Sequence, residues 1–142
     1  MGEARAVMDR LTEALVAHDM GALAEIYAVD AVVESPDVGE IKGRDQIIEY
    51  FVTYNTAFPD ARYEPVHSYE AGNAAIDEGY FVGTHTGPLE LADGETIPPT
   101  GRTTRYRVCD VAETNNGMVY SHRLYFDQYH VMEQLGLLSA DS

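Results

Sequence analysis

The chain has 142 residues, 45% of them hydrophobic, which suits one domain over 1–142 that buries a core without metal or disulfide help. Nine Lys and Arg against 24 Asp and Glu give a net charge of -15, which argues against nucleic acid and against an anionic membrane surface as partners. Cys109 is the single cysteine, so no internal disulfide and no cysteine-built metal site is available.

The opening stretch, MGEARAVMDR, has no apolar run and carries acids early, unlike a signal peptide. No stretch nears the roughly 18 apolar residues of a membrane span, so a cytoplasmic protein is expected. Residues 4–18 place Val7, Leu11, Ala14, Leu15 and His18 on one helical face. Asp19 is suited to cap a second short helix carrying Leu23, Ile26 and Tyr27. A strand is expected over 31–34, and a loop over 36–42. A further helix starts after Gly43, with Ile47, Ile48, Phe51, Tyr54, Asn55 and Phe58 on one face, and ends at Pro59.

The second half reads as strands rich in β-branched and aromatic residues, over 61–71, 74–86, 101–113 and 118–127. Gly72-Asn73 and Asn115-Asn116-Gly117 are hairpin turns. Between Gly87 and Thr100, Gly87-Pro88, Asp93-Gly94 and Pro98-Pro99 mark a long excursion expected to be mobile and to cover a pocket mouth. After Asp127 a last helix offers Val131, Gln134 and Leu135, closed by Gly136. Helices followed by long antiparallel strands make an α+β domain, with a curved sheet wrapped over the helices and its inner face forming a pocket.

Four pieces in order carry a resemblance: Gly83-Thr84-His85-Thr86-Gly87, Pro99-Thr100-Gly101-Arg102, Tyr125-Phe126-Asp127 and Gln134-Leu135-Gly136. Together they are similar to the signature of SnoaL-like polyketide cyclases, of the nuclear transport factor 2-like superfamily. Ala22 to Glu34 and Ile41 to Phe51 resemble that family's early helices and strand. The resemblance implies a cone-shaped domain and a general acid/base carboxylate ending the last strand, here Asp127. The limonene epoxide hydrolases share a similar ending but need an Arg-x-Asp pair, and Gly79 and Phe81 fall at those positions.

Alternation puts Arg123, Tyr125 and Asp127 on one face of the last strand and His122, Leu124 and Phe126 on the other. It likewise groups Asp77, Phe81, Gly83 and His85, and then Thr104, Tyr106, Val108 and Asp110. The resemblance places the sets holding Asp127, His85 and Tyr106 inside the cone, closed by Tyr27, Phe51, Tyr54 and Phe58. Asp127 is then the acid/base, or merely a helix cap. His85 would steady a developing oxyanion, or be a satisfied strand histidine. Tyr27, Phe51, Tyr54, Phe58, Phe81, Tyr106, Arg123 and Tyr125 would bind the substrate, although Arg123 also suits a structural ion pair.

Five histidines lack any metal-ligand spacing, so neither metal nor cofactor is expected. Cys109, opposite Tyr106 and Val108, is no nucleophile. The expected function is a cofactor-free cyclase or isomerase acting on a small apolar or aromatic carbonyl compound. A hydrolase or hydratase and a non-catalytic binding module remain alternatives. Leu124 and Phe126, taken as outward-facing, suggest a homodimer through the sheet.

Overall fold

The computed structural model describes residues 2–91 and 93–138. Helices α1 (Glu3–Val16) and α2 (Met20–Ile26) lead into β1 (Tyr27–Ser35) and the short β2 (Gly39–Lys42). Helix α3 (Arg44–Ala57) follows, then β3 (Arg62–Ala71) and β4 (Ala74–Thr84). A small hairpin, β5 (Leu89–Glu90) and β6 (Thr96–Ile97), precedes β7 (Thr103–Asn115), β8 (Met118–Tyr125) and α4 (Gln128–Gln134).

The main sheet has 6 strands in the order β2-β1-β8-β7-β4-β3. It is mixed rather than wholly antiparallel, because β1 runs parallel to β8. Parallel neighbours cannot be joined by a tight turn, and here most of the chain separates them. The segment expected as loop over 36–42 holds β2, which pairs with β1 through Val33 and Ile41. Tyr27, expected on a helix, opens β1 instead.

Local chemistry accounts for the helices. In α1, Ala4, Val7, Met8, Leu11 and Ala14 recur at helical spacing and are buried against the sheet. Its N-terminus has no side-chain cap of its own. The Glu70 carboxylate, reaching over from β3, accepts from the Gly2 and Arg5 backbone N–H groups at 2.9 and 3.0 Å. These bonds hold Glu70 below the usual carboxylate range. Asp19 caps α2 by accepting from Ala22 N–H at 3.0 Å.

Two irregularities shape the sheet. On β3 the pairing with β4 shifts between Pro65 and His67, leaving Val66 as an extra residue. On β8 the pairing with β7 shifts from Thr114↔Val119 to Glu113↔Ser121, leaving Tyr120 as an extra residue. Side chains alternate with period two, so one inserted residue reverses every facing beyond it. Without it Asp110 would oppose Arg123; with it Asp110 opposes Leu124. The facing expected for β8 is therefore corrected. His122 and Leu124 are buried inside, while Arg123 is partly exposed and Tyr125 is 53% exposed. The outward apolar pair from which a partner surface was expected is not on the outer face. No described helix is long and apolar enough to cross a membrane.

A buried ion pair ties α1 to the sheet. Arg5 Nη2 donates to Asp77 Oδ2 at 3.0 Å, and Nη1 lies 2.7 Å from Oδ1. The side chains are 12% and 5% exposed. The bond to Asp77 raises the Arg5 pKa above its already high value, so the guanidinium stays charged. Removing one partner strands the other charge in the interior. Arg5→Ala is expected to destabilise the fold by about 3–5 kcal/mol, read as a lowered urea midpoint with an unchanged slope.

Candidate functional site

Helix α3, the β5–β6 excursion and α4 close the inner face of the sheet over a cavity of about 410 Å³. That volume lies within the range of small-molecule sites. Phe51, Tyr54, Phe58, Phe81 and Tyr106 line it, as the sequence suggested, and Phe126 joins them. The rings contact one another around the wall: Tyr54 and Phe58 stack at 5.0 Å, and Tyr106 and Phe126 tilt together at 5.4 Å. Leu89, Glu90, Leu91 and Asp93 put the excursion at the cavity edge.

Among the carboxylates that line this wall, Asp110 is joined to a buried histidine. Asp110 lines the cavity, and its Oδ2 lies 2.8 Å from His122 Nε2. His122 is fully buried, and its Nδ1 lies 2.8 Å from the hydroxyl of the equally buried Tyr27. A carboxylate only accepts, so Nε2 donates to it. In the neutral ring Nδ1 is then an acceptor, and the Tyr27 hydroxyl donates to it. Burial, aided by the Asp110 charge, raises the Tyr27 pKa well above 10.0, which keeps that proton in place. Asp110, His122 and Tyr27 thus form one directed chain ending at the cavity.

Other polar groups divide into partnered and free. The Tyr54 and Tyr106 hydroxyls bond each other at 3.1 Å. Burial pushes the Tyr54 pKa up to about 12, and raises that of Tyr106 too. Tyr50 donates to the Asp37 carboxylate at 3.0 Å. Two lining residues hold buried donors with no partner among the described residues, Asn55 Nδ2 and the Tyr63 hydroxyl.

The residues expected to act are placed differently. Asp127 is exposed and outside the cavity lining, and it caps α4 by accepting from His130 N–H at 3.2 Å. Arg123 pairs with Glu113 at 2.6 Å outside the cavity lining, and Tyr125 faces outward with it. Alternation grouped these residues on one face, and the resemblance turned that face inward; the extra residue at Tyr120 sets it outward. Tyr27 is behind the wall, holding His122. His85 is fully buried beneath Phe58, with ring centroids 5.3 Å apart, and does not line the cavity. Its Nδ1 accepts from Thr100 N–H at 3.2 Å, and its backbone bonds Arg102 and Gly101, so it clasps the end of the excursion.

Sequence reasoning put Asp110 on the inner face without giving it a role, and it missed His122 and Tyr63. The signal for the pair was an acid and a histidine on neighbouring strands across the Asn115–Gly117 turn. Only the bulge brings them to one face.

A curved sheet roofed by helices thus encloses an aromatic cavity lined by Asp110, which is paired with the buried His122. The model of the SnoaL-like domain matches residues 8–122, and the chain belongs to that family. No curated protein matches the sequence. Among solved structures it is similar to IdmH of Streptomyces antibioticus, a candidate polyketide cyclase, at 22% identity and a TM-score of 0.78, covering 95% of this chain and 99% of that one. A candidate SnoaL-like polyketide cyclase from Jannaschia sp. CCS1 matches at 17% identity and a TM-score of 0.84, over 96% and 94% of the two chains. An epoxide hydrolase of the LEH-like kind from M. tuberculosis matches at 19% identity and 0.72, over 94% and 89%. At these identities the likeness is one of fold.

Burial holds the His85 pKa below its ordinary value of 6.5. The unfolded chain then binds more protons than the folded one just below that pH. His85 therefore contributes stability that is present above about pH 6.5 and lost as pH falls toward the depressed folded value. Asn offers an acceptor in place of Nδ1 without a titrating proton. Between pH 7 and 5 the melting temperature of His85→Asn is expected to fall less steeply than that of the parent, measured by calorimetry across that range.

Proposed function

We propose that the chain is a cofactor-free acid/base enzyme in which Asp110 moves a proton next to a carbonyl of a flat, largely apolar substrate. The observation that carries this reading is the Asp110–His122–Tyr27 chain ending in an aromatic cavity. Asp110 lines the cavity, so a carbon acid bound against the aromatic wall can come within proton-transfer reach of its carboxylate. His122 fixes its orientation and spreads its charge, as an orienting partner does for a catalytic base.

Asp110 takes the α-proton, and the C–H electron pair becomes the C=C bond of an enolate. In a cyclase, that carbon attacks a second carbonyl of the same molecule, forming a C–C bond and an alkoxide. The alkoxide recovers a proton from the Asp110 carboxyl group, which returns the enzyme to its starting state. Returning the proton to a different carbon would give isomerisation. The aromatic wall orients the reacting ends, which is where most of the acceleration of an intramolecular step originates. The names of the structural relatives, cyclase candidates among them, are consistent with this class.

The test uses 2-tetralone, a bicyclic ketone with acidic α-hydrogens, in deuterated buffer, with exchange followed by NMR. The parent protein is expected to accelerate exchange, and Asp110→Asn to lower that acceleration about 100-fold to 10,000-fold. Asp127→Asn should leave it unchanged and shift stability by less than about 1 kcal/mol, since Asn caps about as well as Asp. Equal rates for the parent and Asp110→Asn would sink the acid/base reading and leave a binding module.

A further inference from the structure

We infer that Tyr63 is the donor that receives the substrate's carbonyl oxygen while Asp110 takes the neighbouring proton. The inference rests on the acid/base reading of the cavity and names the electrophilic partner that reading requires.

Tyr63 lines the cavity, and its hydroxyl is buried with no partner among the described residues. Buried hydroxyls are nearly always hydrogen-bonded, because an unpaired one carries its full desolvation penalty. The other candidate phenols are already engaged: Tyr54 with Tyr106, Tyr50 with Asp37, and Tyr27 with His122. Asn55 Nδ2 is also unpartnered, but it belongs to the helical wall rather than to the sheet that carries Asp110.

Gly79 places the Tyr63 hydroxyl. A Cβ built on Gly79 would lie 2.6 Å from Tyr63 Oη and 2.7 Å from Cζ. The phenol end therefore occupies the space where that residue's side chain would project from the inner face of β4. Gly79 opposes Val108, while Asp77 opposes Asp110. Asp110 is thus the diagonal neighbour of the Gly79 position, which in an antiparallel pair means about 7–8 Å or less between Cβ sites. A carbonyl oxygen and its α-hydrogen fit between a donor and a base set that far apart. Tyr63 also keeps its proton, since burial and the Asp77 and Asp110 charges raise its pKa. Such a phenol donates without ionising and strengthens its bond as charge builds on the enolate oxygen.

The test uses phenolate as a stable mimic of the enolate. The probe is 4-nitrophenol, whose anion is read by visible absorbance. Asp110→Asn removes the charge that would repel it. This variant is expected to bind 4-nitrophenolate and to lower the probe's apparent pKa on binding. Adding Tyr63→Phe should weaken phenolate binding about tenfold or more, while nitrobenzene, which lacks the oxygen anion, binds equally to both proteins. Because Tyr63→Phe deletes an unpartnered oxygen, its melting temperature should be unchanged or higher. Equal phenolate affinity with and without Tyr63→Phe, or no phenolate binding by Asp110→Asn at all, would overturn the assignment. So would a marked loss of stability in Tyr63→Phe, which signals a structural hydroxyl. If phenolate binding depends on Tyr63 while Asp110→Asn retains full 2-tetralone exchange, the donor stands and only the identity of the base is wrong.

Discussion

One extra residue in β8 decides which groups this protein can use. Tyr120 stands between two registers of the β7–β8 pairing, and everything after it faces the opposite side from what unbroken alternation would give. The bulge brings His122 to the inner face, diagonal to Asp110, where the two can bond. It also turns Leu124 and Phe126 into the cavity wall and sends Arg123 and Tyr125 outward. Strengthened twist and a re-aimed side chain are the usual consequences of a bulge beside a site. Here the re-aimed side chain is the imidazole on which the carboxylate depends.

The interior combines two polar systems within an otherwise apolar shell. Arg5 and Asp77 join a helix to the sheet, and Asp110, His122 and Tyr27 join the cavity to the core beneath β1. Asp77 and Asp110 are direct cross-strand partners, so two carboxylates meet on one face. Like charges so placed repel. Each is drawn toward a different partner, Asp77 to a guanidinium and Asp110 to an imidazole. This division keeps Asp77 occupied in holding the fold together and leaves Asp110 with an oxygen beside the cavity. Buried networks of this kind are stable when satisfied and costly when broken, which makes the packing of α1 part of the site's support.

Much of this was legible in the sequence. Helical spacing located α1 and α3, the Asp19 cap located α2, and the turns at Gly72-Asn73 and Asn115–Gly117 fixed the two hairpins. Alternation along β4 and β7 sorted Phe81, Tyr106 and Asp110 correctly to the inner face. The pairing of Asp110 with His122 was not legible for one reason. Period-two reasoning has no memory of an inserted residue, and nothing in Val119-Tyr120-Ser121 marks a bulge by composition. The family resemblance carried Asp127 into the pocket, although its place before α4 fits the cap it forms. The parallel pairing of β1 with β8 and the short β2 depend on contacts between distant segments, which local pattern does not encode.

The β3 irregularity has a different significance. This strand ends the sheet, and an outermost strand offers unpaired backbone groups to any other extended chain. Pro65 removes one amide donor from that row, and the extra residue at Val66 breaks its regular spacing. At the opposite border β2 is only 4 residues long, too short to template a partner well. Both rims of the sheet are thus blunted against chain-to-chain stacking. With a net charge of -15 adding mutual repulsion, the protein can expose long strands at high concentration while resisting fibrous association.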